Sequence, residues 1–470
     1  MACRTVFMAM ACLFLEGAEA WSLLRISLPS WTEHGRQACT ADGRHQGWGN
    51  QRSGMMPLGS WARRGGRTIR MSGDAEIERE VWMIEKPGNL KHLQKKKDML
   101  PPPGPDEVRV RVCAIGLNFA DVFTVLGMYD AASSKENLVP GLEFSGVVEA
   151  IGDRLQNRKS AIVSRSPDGK RNVLVSSPEP SQTKEGDGQK IRVGDRVMGF
   201  SRFGSFSTHL NVGSSYIRPI PDDWTFQQGA SFVVQGLTAW YGLVELGQAQ
   251  AGKRVLIHSA AGGVGLFCLQ ICRLFDMTPV AIVGSEEKSA LLAETYGLEK
   301  SQIVIRKQSP RRFKEDVIGA CQLLDGKGYD VIMDSVAGKY FSPGYESLSP
   351  QGRHVLFGAA SYTPRGDLGK VWWSLEFWRS IVPKFLSRPK LDVQKMIGQN
   401  KAVLGFNLIW LTDGETDPKV LGLLMDQMLQ RRWNPPMVGA EFRFDEMPEA
   451  LRFFKSGRSV GKVVVNVSEE

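Results

Sequence analysis

The chain has 470 residues, 42% of them hydrophobic and 23% charged, enough for a large core and more than one domain. Its formal charge of +9 is unevenly spread: residues 1–72 hold nine Arg, no Lys and four acids, while the rest carries 50 basic against 46 acidic side chains. A body so nearly balanced excludes a globally basic nucleic-acid binder, and no nucleic-acid partner is expected.

Residues 1–72 read as a bipartite targeting presequence. Arg4 precedes Val6–Leu15, ten residues without charge, and Ala18-Glu19-Ala20 offers a cleavage site. That is the anatomy of a secretory signal, too short to span a bilayer. The following stretch is rich in Arg, Ser and Gly, lacks Lys and has little acid, which is transit-peptide composition. The two in series, with Trp21 just after the cleavage site, resemble the leaders of algae with complex plastids. A plastid location follows, with a mitochondrial or secretory leader as the alternative. No later segment reaches the roughly 18 apolar residues of a membrane helix. Of seven cysteines, Cys3, Cys12 and Cys39 fall in this leader, and none pair at metal-like spacing. Cys113, Cys268, Cys272 and Cys321 read as reduced packing residues.

The globular part begins near Ala75. Glu107–Val112 alternates strictly and predicts a half-exposed strand. Gly116–Asp121 leads into an apolar helix ending near Gly127-Met128-Tyr129, followed by strand-and-turn runs at 140–152 and 193–199. Short strands between Gly-rich turns predict an all-β, barrel-like domain over 75–225. It is interrupted at 155–192 by a polar insertion, read as a solvated loop.

Arg254–His258 is a short apolar run, a buried strand, and Val264, Phe267, Cys268, Ile271, Cys272 and Phe275 recur at helical spacing. Between them lies Ser259-Ala-Ala-Gly-Gly-Val-Gly265, close to a dinucleotide fingerprint with Ala260 in the first slot and Gly262 and Gly265 in the others. Strand, tight glycine turn and helix together suit a pyrophosphate approaching helix N–H groups. Strands at Pro279–Val283, Ile303–Ile305, Tyr329–Met333, Arg353–Phe357 and Ala402–Phe406, with a helix at Glu286–Tyr296, predict a parallel sheet over 226–408. Residues 409–470 end in a strand at 459–465 that returns to the β domain. Residues 371–386 hold Trp372, Trp373 and Trp378 among basic residues. They suit a dimer or cleft-wall helix, and also peripheral contact with a membrane surface.

In order along the chain, Gly-Leu-Asn-Phe-Ala-Asp (116–121), Pro-Gly-Leu-Glu-Phe-Ser-Gly (140–146), Ala-Ala-Gly-Gly-Val-Gly (260–265), Gly-Phe-Asn-Leu-Ile-Trp (405–410) and Gly-Arg-Ser-Val-Gly-Lys-Val (457–463) resemble the medium-chain dehydrogenase/reductase superfamily. Within it the chain is similar to the zinc-free quinone oxidoreductase branch, and there to the synaptic vesicle membrane protein type. The resemblance implies an α/β protein, a GroES-like β-barrel catalytic domain plus a Rossmann doubly wound parallel sheet, acting as a homodimer. Zinc-dependent relatives carry Cys and His where this chain has Asn118 and Leu142, neither a good zinc ligand, so no metal is expected.

The implied cofactor is NADPH and the implied substrate a small quinone or enone, with 2-alkenal double-bond reduction, or a non-catalytic lipid- or protein-binding role, as rivals. No Asp or Glu ends the strand at Val283, and Ser285 and Lys288 match a 2′-phosphate pattern, although Glu286 and Glu287 stand beside them. Ala260, Gly262, Gly263, Val264, Gly265, Gly358, Asn407 and Lys462 complete the implied cofactor set. Asn118, Asp121 and Tyr129 match the positions facing the reacting centre. Tyr129 and Asn118 are expected to donate to a developing oxyanion and Asp121 to orient its neighbours. Asn118 and Asp121 also suit a purely local role at a helix start. His209 and His258 read as structural.

Overall fold

The computed structural model describes residues 75–132, 137–157, 191–324, 326–364, 366–367, 383–384, 388–412 and 418–467, all within one compact unit, Thr68–Glu470. The leader, residues 158–190 of the insertion and 371–382 of the Trp-rich segment lie outside them. The first element is an antiparallel pair, β1 (Ile77–Ile84) and β2 (Leu93–Leu100). The sequence reading does not find it, because β2 carries Lys95, Lys96, Lys97 and Asp98 between its apolar ends.

Five strands then open the β domain: β3 (Glu107–Gly116), β4 (Glu143–Ile151), β5 (Arg196–Phe200), β6 (His209–Gly213) and β7 (Ile217–Pro219). Between β3 and β4 sits a short helix, α1 (Phe119–Val125). The chain next builds a parallel sheet from β8 (Arg254–Ile257), β9 (Thr278–Val283), β10 (Ile303–Ile305), β11 (Tyr329–Asp334), β12 (Leu348–Leu356) and β13 (Ala402–Gly405). It closes with β14 (Val438–Arg443) and β15 (Lys462–Asn466), which join the first sheet in the order β14-β15-β3-β4-β5-β7, with β6 on β3. Only β14 and β15 run parallel there.

The second sheet has the order β10-β9-β8-β11-β12-β13, and every pair is parallel. Its strands are apolar on both faces, as helices on both sides require. Val255, Ile257, Ala281 and Val283 pack with Phe267, Cys268, Ile271 and Cys272 of α3 (Gly263–Leu274) and with α2 (Val233–Trp240). The alternate residues Leu256, Val280, Ile282 and Ile332 pack with Phe313 and Val317 of α5 (Pro310–Gln322). The helix after β9, α4 (Glu286–Tyr296), has the bounds its sequence pattern predicts and stops at Gly297 in the left-handed conformation (φ 66°). One further helix, α6 (Met447–Lys455), precedes β15. Strand order reverses between β8 and β11, which in an open parallel sheet puts a crevice outside the strands' carboxyl ends. The described cysteines are all free and buried. Among the described residues no helix is long and apolar enough to cross a membrane.

Candidate active site

All six parallel strands end on one cleft of about 790 Å³. Its wall takes His258 from the end of β8, Gly284 from β9, Arg306 from β10, Ser335 from β11, Gly358 from β12 and Asn407 from beyond β13. The β domain closes the other side with Leu117, Asn118, Phe119, Phe123, Tyr129, Leu142 and Phe200.

The fingerprint loop shows why small residues stand where they do. A Cβ on Gly262 would meet nothing nearer than Ser259 O at 3.2 Å, so this backbone faces open cleft. A Cβ on Gly265 would lie 2.5 Å from Ala260 Cα, and one on Gly263 would strike Gln235 Oε1 at 1.9 Å. Gly265 therefore lets α3 pack on the strand, and Gly263 lets α2 approach. Ser259 enters the turn with φ 53°, a left-handed conformation uncommon for a residue other than glycine. Gly262, Gly263, Val264 and Gly265 line the cleft, whereas Ala260 is fully buried beneath it, a packing residue rather than a contact. Gly358 is also on the wall, where a Cβ would meet Ser335 O at 2.8 Å.

At the β9–β10 end, Lys288 and Arg306 both face the cleft. Lys288 Nζ donates to Gly457 O (2.7 Å) and Ser459 O (2.8 Å), and burial, with Arg306 nearby, lowers its pKa. Arg306 Nη1 is covered from solvent and has no hydrogen-bond partner, while its guanidinium lies 5.4 Å over the Tyr340 ring. Ser285 is not on the wall. It is the N-cap of α4, its Oγ 3.5 Å from Lys288 N, and it hydrogen-bonds the Glu287 carboxylate. Arg306 is a site residue that sequence reasoning missed; the only signal was a cation directly after a strand end.

At the opposite end, Phe119, Phe123, Leu408, Ile409 and Phe454 make an apolar wall around two polar side chains. The Tyr129 hydroxyl donates to Asn407 Oδ1 at 2.9 Å, and burial pushes the Tyr129 phenol up to about 12 against that hydrogen bond. Its single proton is thus already committed. Asn118 is committed too: Nδ2 donates to Gly116 O (3.1 Å) and Glu143 Oε2 (3.2 Å), and Oδ1 accepts from Lys462 Nζ (2.8 Å). Neither is free to donate as expected from the sequence.

Asp121 and Lys462 lie behind this wall. Asp121 is buried and accepts from Asn118 N at 2.7 Å, fixing the start of α1. Burial pushes its carboxyl up to about 7, against that hydrogen bond and the Lys462 charge. Lys462 is fully buried, 2.5 Å from Glu143 Oε2, so its ammonium is internal and not presented to the cofactor side. Glu143 Oε1 accepts from Val234 N (2.8 Å) at the start of α2. His258 touches the cleft, but burial pushes its imidazole down to about 4 and neither ring nitrogen makes a hydrogen bond. Asp334, between His258 (3.6 Å) and His354 (3.0 Å), is held well below the usual carboxylate range by them, although burial opposes this. His209 lies 3.4 Å from Glu149 on the β sheet, outside the cleft wall.

A GroES-like barrel and a Rossmann sheet sharing one cleft define an oxidoreductase architecture. Residues 104–222 match the alcohol dehydrogenase GroES-like domain and residues 263–372 the zinc-binding dehydrogenase family. The chain belongs to the medium-chain dehydrogenase/reductase superfamily. It is similar to the synaptic vesicle membrane protein VAT-1 homolog of Rattus norvegicus, 28% identical over 383 residues, covering 79% of this chain and 80% of that protein. Among solved structures, CurK enoyl reductase is 25% identical with a TM-score of 0.61, over 83% of this chain and 99% of that one. Mycobacterial Rv1454c complexed with NADPH is 23% identical with a TM-score of 0.63, over 83% of this chain and 100% of that one. The residues do not fit the metal in the second family's description. Leu142 has no donor atom, and the Asn118 amide oxygen already holds an ammonium. Among the described residues no group of three or more His, Cys, Asp or Glu could hold a metal ion.

Proposed function

We propose that this oxidoreductase uses NADPH to reduce quinones or α,β-unsaturated carbonyl compounds. The observation that carries this reading is the cleft's two unlike ends. One holds a half-buried guanidinium with an unpartnered nitrogen beside an ammonium, the setting a 2′-phosphate needs. The other is a largely apolar pocket with a few polar side chains, Tyr129 and Asn407 among them, the setting of a neutral, flat acceptor. Between them the open backbone at Gly262 and the start of α3 suit the pyrophosphate. Gly358 and Asn407 stand at the nicotinamide end.

When bound, the reduced nicotinamide supplies a hydride. Quinones and enones are already electrophilic, so the protein has to align the acceptor, keep water out and stabilise charge on its oxygen. Phe119, Phe123, Leu408, Ile409 and Phe454 do the first two. The similarity to CurK enoyl reductase favours enone double-bond reduction as the second reading. We also place the enzyme in a plastid, on the composition of residues 1–72, with the mitochondrion as alternative.

NADPH oxidation with a panel of benzoquinones and 2-alkenals, with product analysis, tests the reading. Hydroquinone or saturated aldehyde is expected. No NADPH consumption above the uncatalysed rate with any acceptor would reject it.

A further inference from the structure

We propose that Asn407 is the residue that donates a hydrogen bond to the acceptor oxygen as it becomes negative, and that Tyr129 positions it. This rests on the reductase reading given above. In that step the hydride forms a C–H bond on the acceptor and the carbonyl π system shifts. The electron pair settles on oxygen as an enolate, which water later protonates, leaving NADP⁺ as the oxidised partner. From a quinone the product is a keto tautomer that loses the added ring proton to water and regains one on oxygen to become hydroquinone. The cleft must therefore present an uncommitted N–H or O–H at its apolar end.

Several polar side chains line the cleft. The Asn118 amide spends both hydrogens on Gly116 O and Glu143 Oε2. Tyr129 has one proton and gives it to Asn407 Oδ1. Ser201 also lines the cleft, but its hydroxyl is buried with no partner and the residue is only 9% exposed, leaving it recessed in the wall. The Gln235 amide also lines the cleft and no described residue accepts from it, but it sits against Gly263 of the fingerprint loop, whereas Asn407 stands beside Tyr129. The Asn407 side chain is half-buried on the cleft wall, and no described residue accepts from its Nδ2.

Oxygen and nitrogen of an amide are assigned from their partners. Here Tyr129 O–H (2.9 Å) and Ile409 N–H (3.4 Å) converge on one atom, and the backbone N–H, which can only donate, makes that atom the oxygen. The NH₂ group is left without a described acceptor. Donation by Tyr129 also polarises the amide, making its N–H a better donor. The backbone is anchored on both sides, by Phe406 N to Leu356 O (3.0 Å) and Trp410 N to Asn407 O (3.1 Å). A preorganised donor of this kind is what oxyanion stabilisation demands.

Two variants separate the roles. Asn407→Asp at pH 8 keeps an oxygen for Tyr129 and replaces the donor by a carboxylate; turnover with NADPH and a benzoquinone should fall about a hundredfold or more. Tyr129→Phe leaves the Asn407 donor in place and should lose less than about tenfold. A second readout needs no turnover: 4-nitrophenolate, a phenolate mimic, is titrated spectroscopically in saturating NADP⁺. Wild-type protein should bind it, Asn407→Asp at least about tenfold more weakly. The assignment is overturned if Tyr129→Phe loses more turnover than Asn407→Asp. It is also overturned if nitrophenolate binding is absent in wild type or equal in both proteins. A wild type that reduces no acceptor, yet loses nitrophenolate affinity on Asn407→Asp, rejects the reductase reading and leaves the donor assignment standing. Should the Asp variant fail to fold, a hundredfold loss in Tyr129→Phe still overturns the assignment, and a small loss supports it.

Discussion

Replacing Arg306 by Gln should change which nucleotide this enzyme prefers. The guanidinium lies on the cleft wall with one covered, unpartnered nitrogen, and its positive charge helps lower the Lys288 pKa. Lys288 already spends two of its three protons on Gly457 O and Ser459 O, so towards a phosphate it acts mainly as a charge. Arg306 is left to supply the directed hydrogen bond. Such a bond to a charged group contributes about 1.5–3 kcal/mol, or roughly ten- to a hundredfold in affinity. Glu286 and Glu287 oppose it, but both are exposed and screened, so the half-buried cations win. Fluorescence titrations of Arg306→Gln should show NADPH weakened by about ten- to a hundredfold and NADH by less than about threefold. Equal losses for both nucleotides would refute the reasoning and leave Arg306 as a partner of Tyr340 only.

The other expectations concern the buried groups and the chain's ends. The Asp121 carboxyl, pushed up to about 7 by burial, keeps its proton in the folded chain at pH values where the unfolded chain has lost it. Its contribution to stability is therefore greatest at low pH and declines between about pH 4 and pH 7, by on the order of 4 kcal/mol. Asp121→Asn should abolish that decline, so the melting-temperature difference between wild type and variant should change steadily across this window; a constant difference would count against it. Lys462→Met strands the Glu143 carboxylate and should cost about 3–5 kcal/mol in chemical denaturation, with Glu143→Gln added to it recovering part of the loss. Elemental analysis of active enzyme should find well under one zinc per chain; a tightly held zinc lost together with activity on chelation would overturn this. Native protein should begin near Met71–Glu78 by N-terminal sequencing, and a chain retaining Trp61 and Arg63 would rule out the leader reading.

The sequence was most readable where one period dominates. β10 and α4 have the predicted bounds, and α3 differs from its apolar pattern by one residue at each end. It was least readable where tertiary contacts decide. β2 is a charged edge strand, and α2 is short and nearly all buried, with seven of its eight residues inside the core. The site followed the same division. Glycines at 262 and 265 follow from local geometry and were visible. The Asn118–Lys462, Tyr129–Asn407 and Lys462–Glu143 contacts span 344, 278 and 319 residues, beyond the reach of spacing arguments. Arg306 was hidden because a lone cation after a strand is usually solvated, and only the fold shows this one turned inward.

The same long-range contacts give a physical account of the missing zinc ligands. Asn118 and Leu142 belong to a region whose centre is the Glu143–Lys462 ion pair, fully buried on both sides. Such a pair contributes little net stability, because desolvation offsets its attraction, yet losing either member is costly. Its value lies in what it joins. Lys462 comes from β15, Glu143 from β4, Asn118 from the turn before α1, and the Val234 N–H from the start of α2. Four segments, three from the β domain and one from the helix packed on the fingerprint, converge on one carboxylate or its ammonium. Gly461 adds a backbone bond to Ala261 O (2.8 Å), so the strand carrying Lys462 also braces the nucleotide loop. A metal at Asn118 would have to displace the ammonium that its amide oxygen holds. Asn118, Glu143 and Lys462 therefore tie β4, β15 and the turn before α1 to the start of α2, joining the two sides of the cleft through one buried cluster.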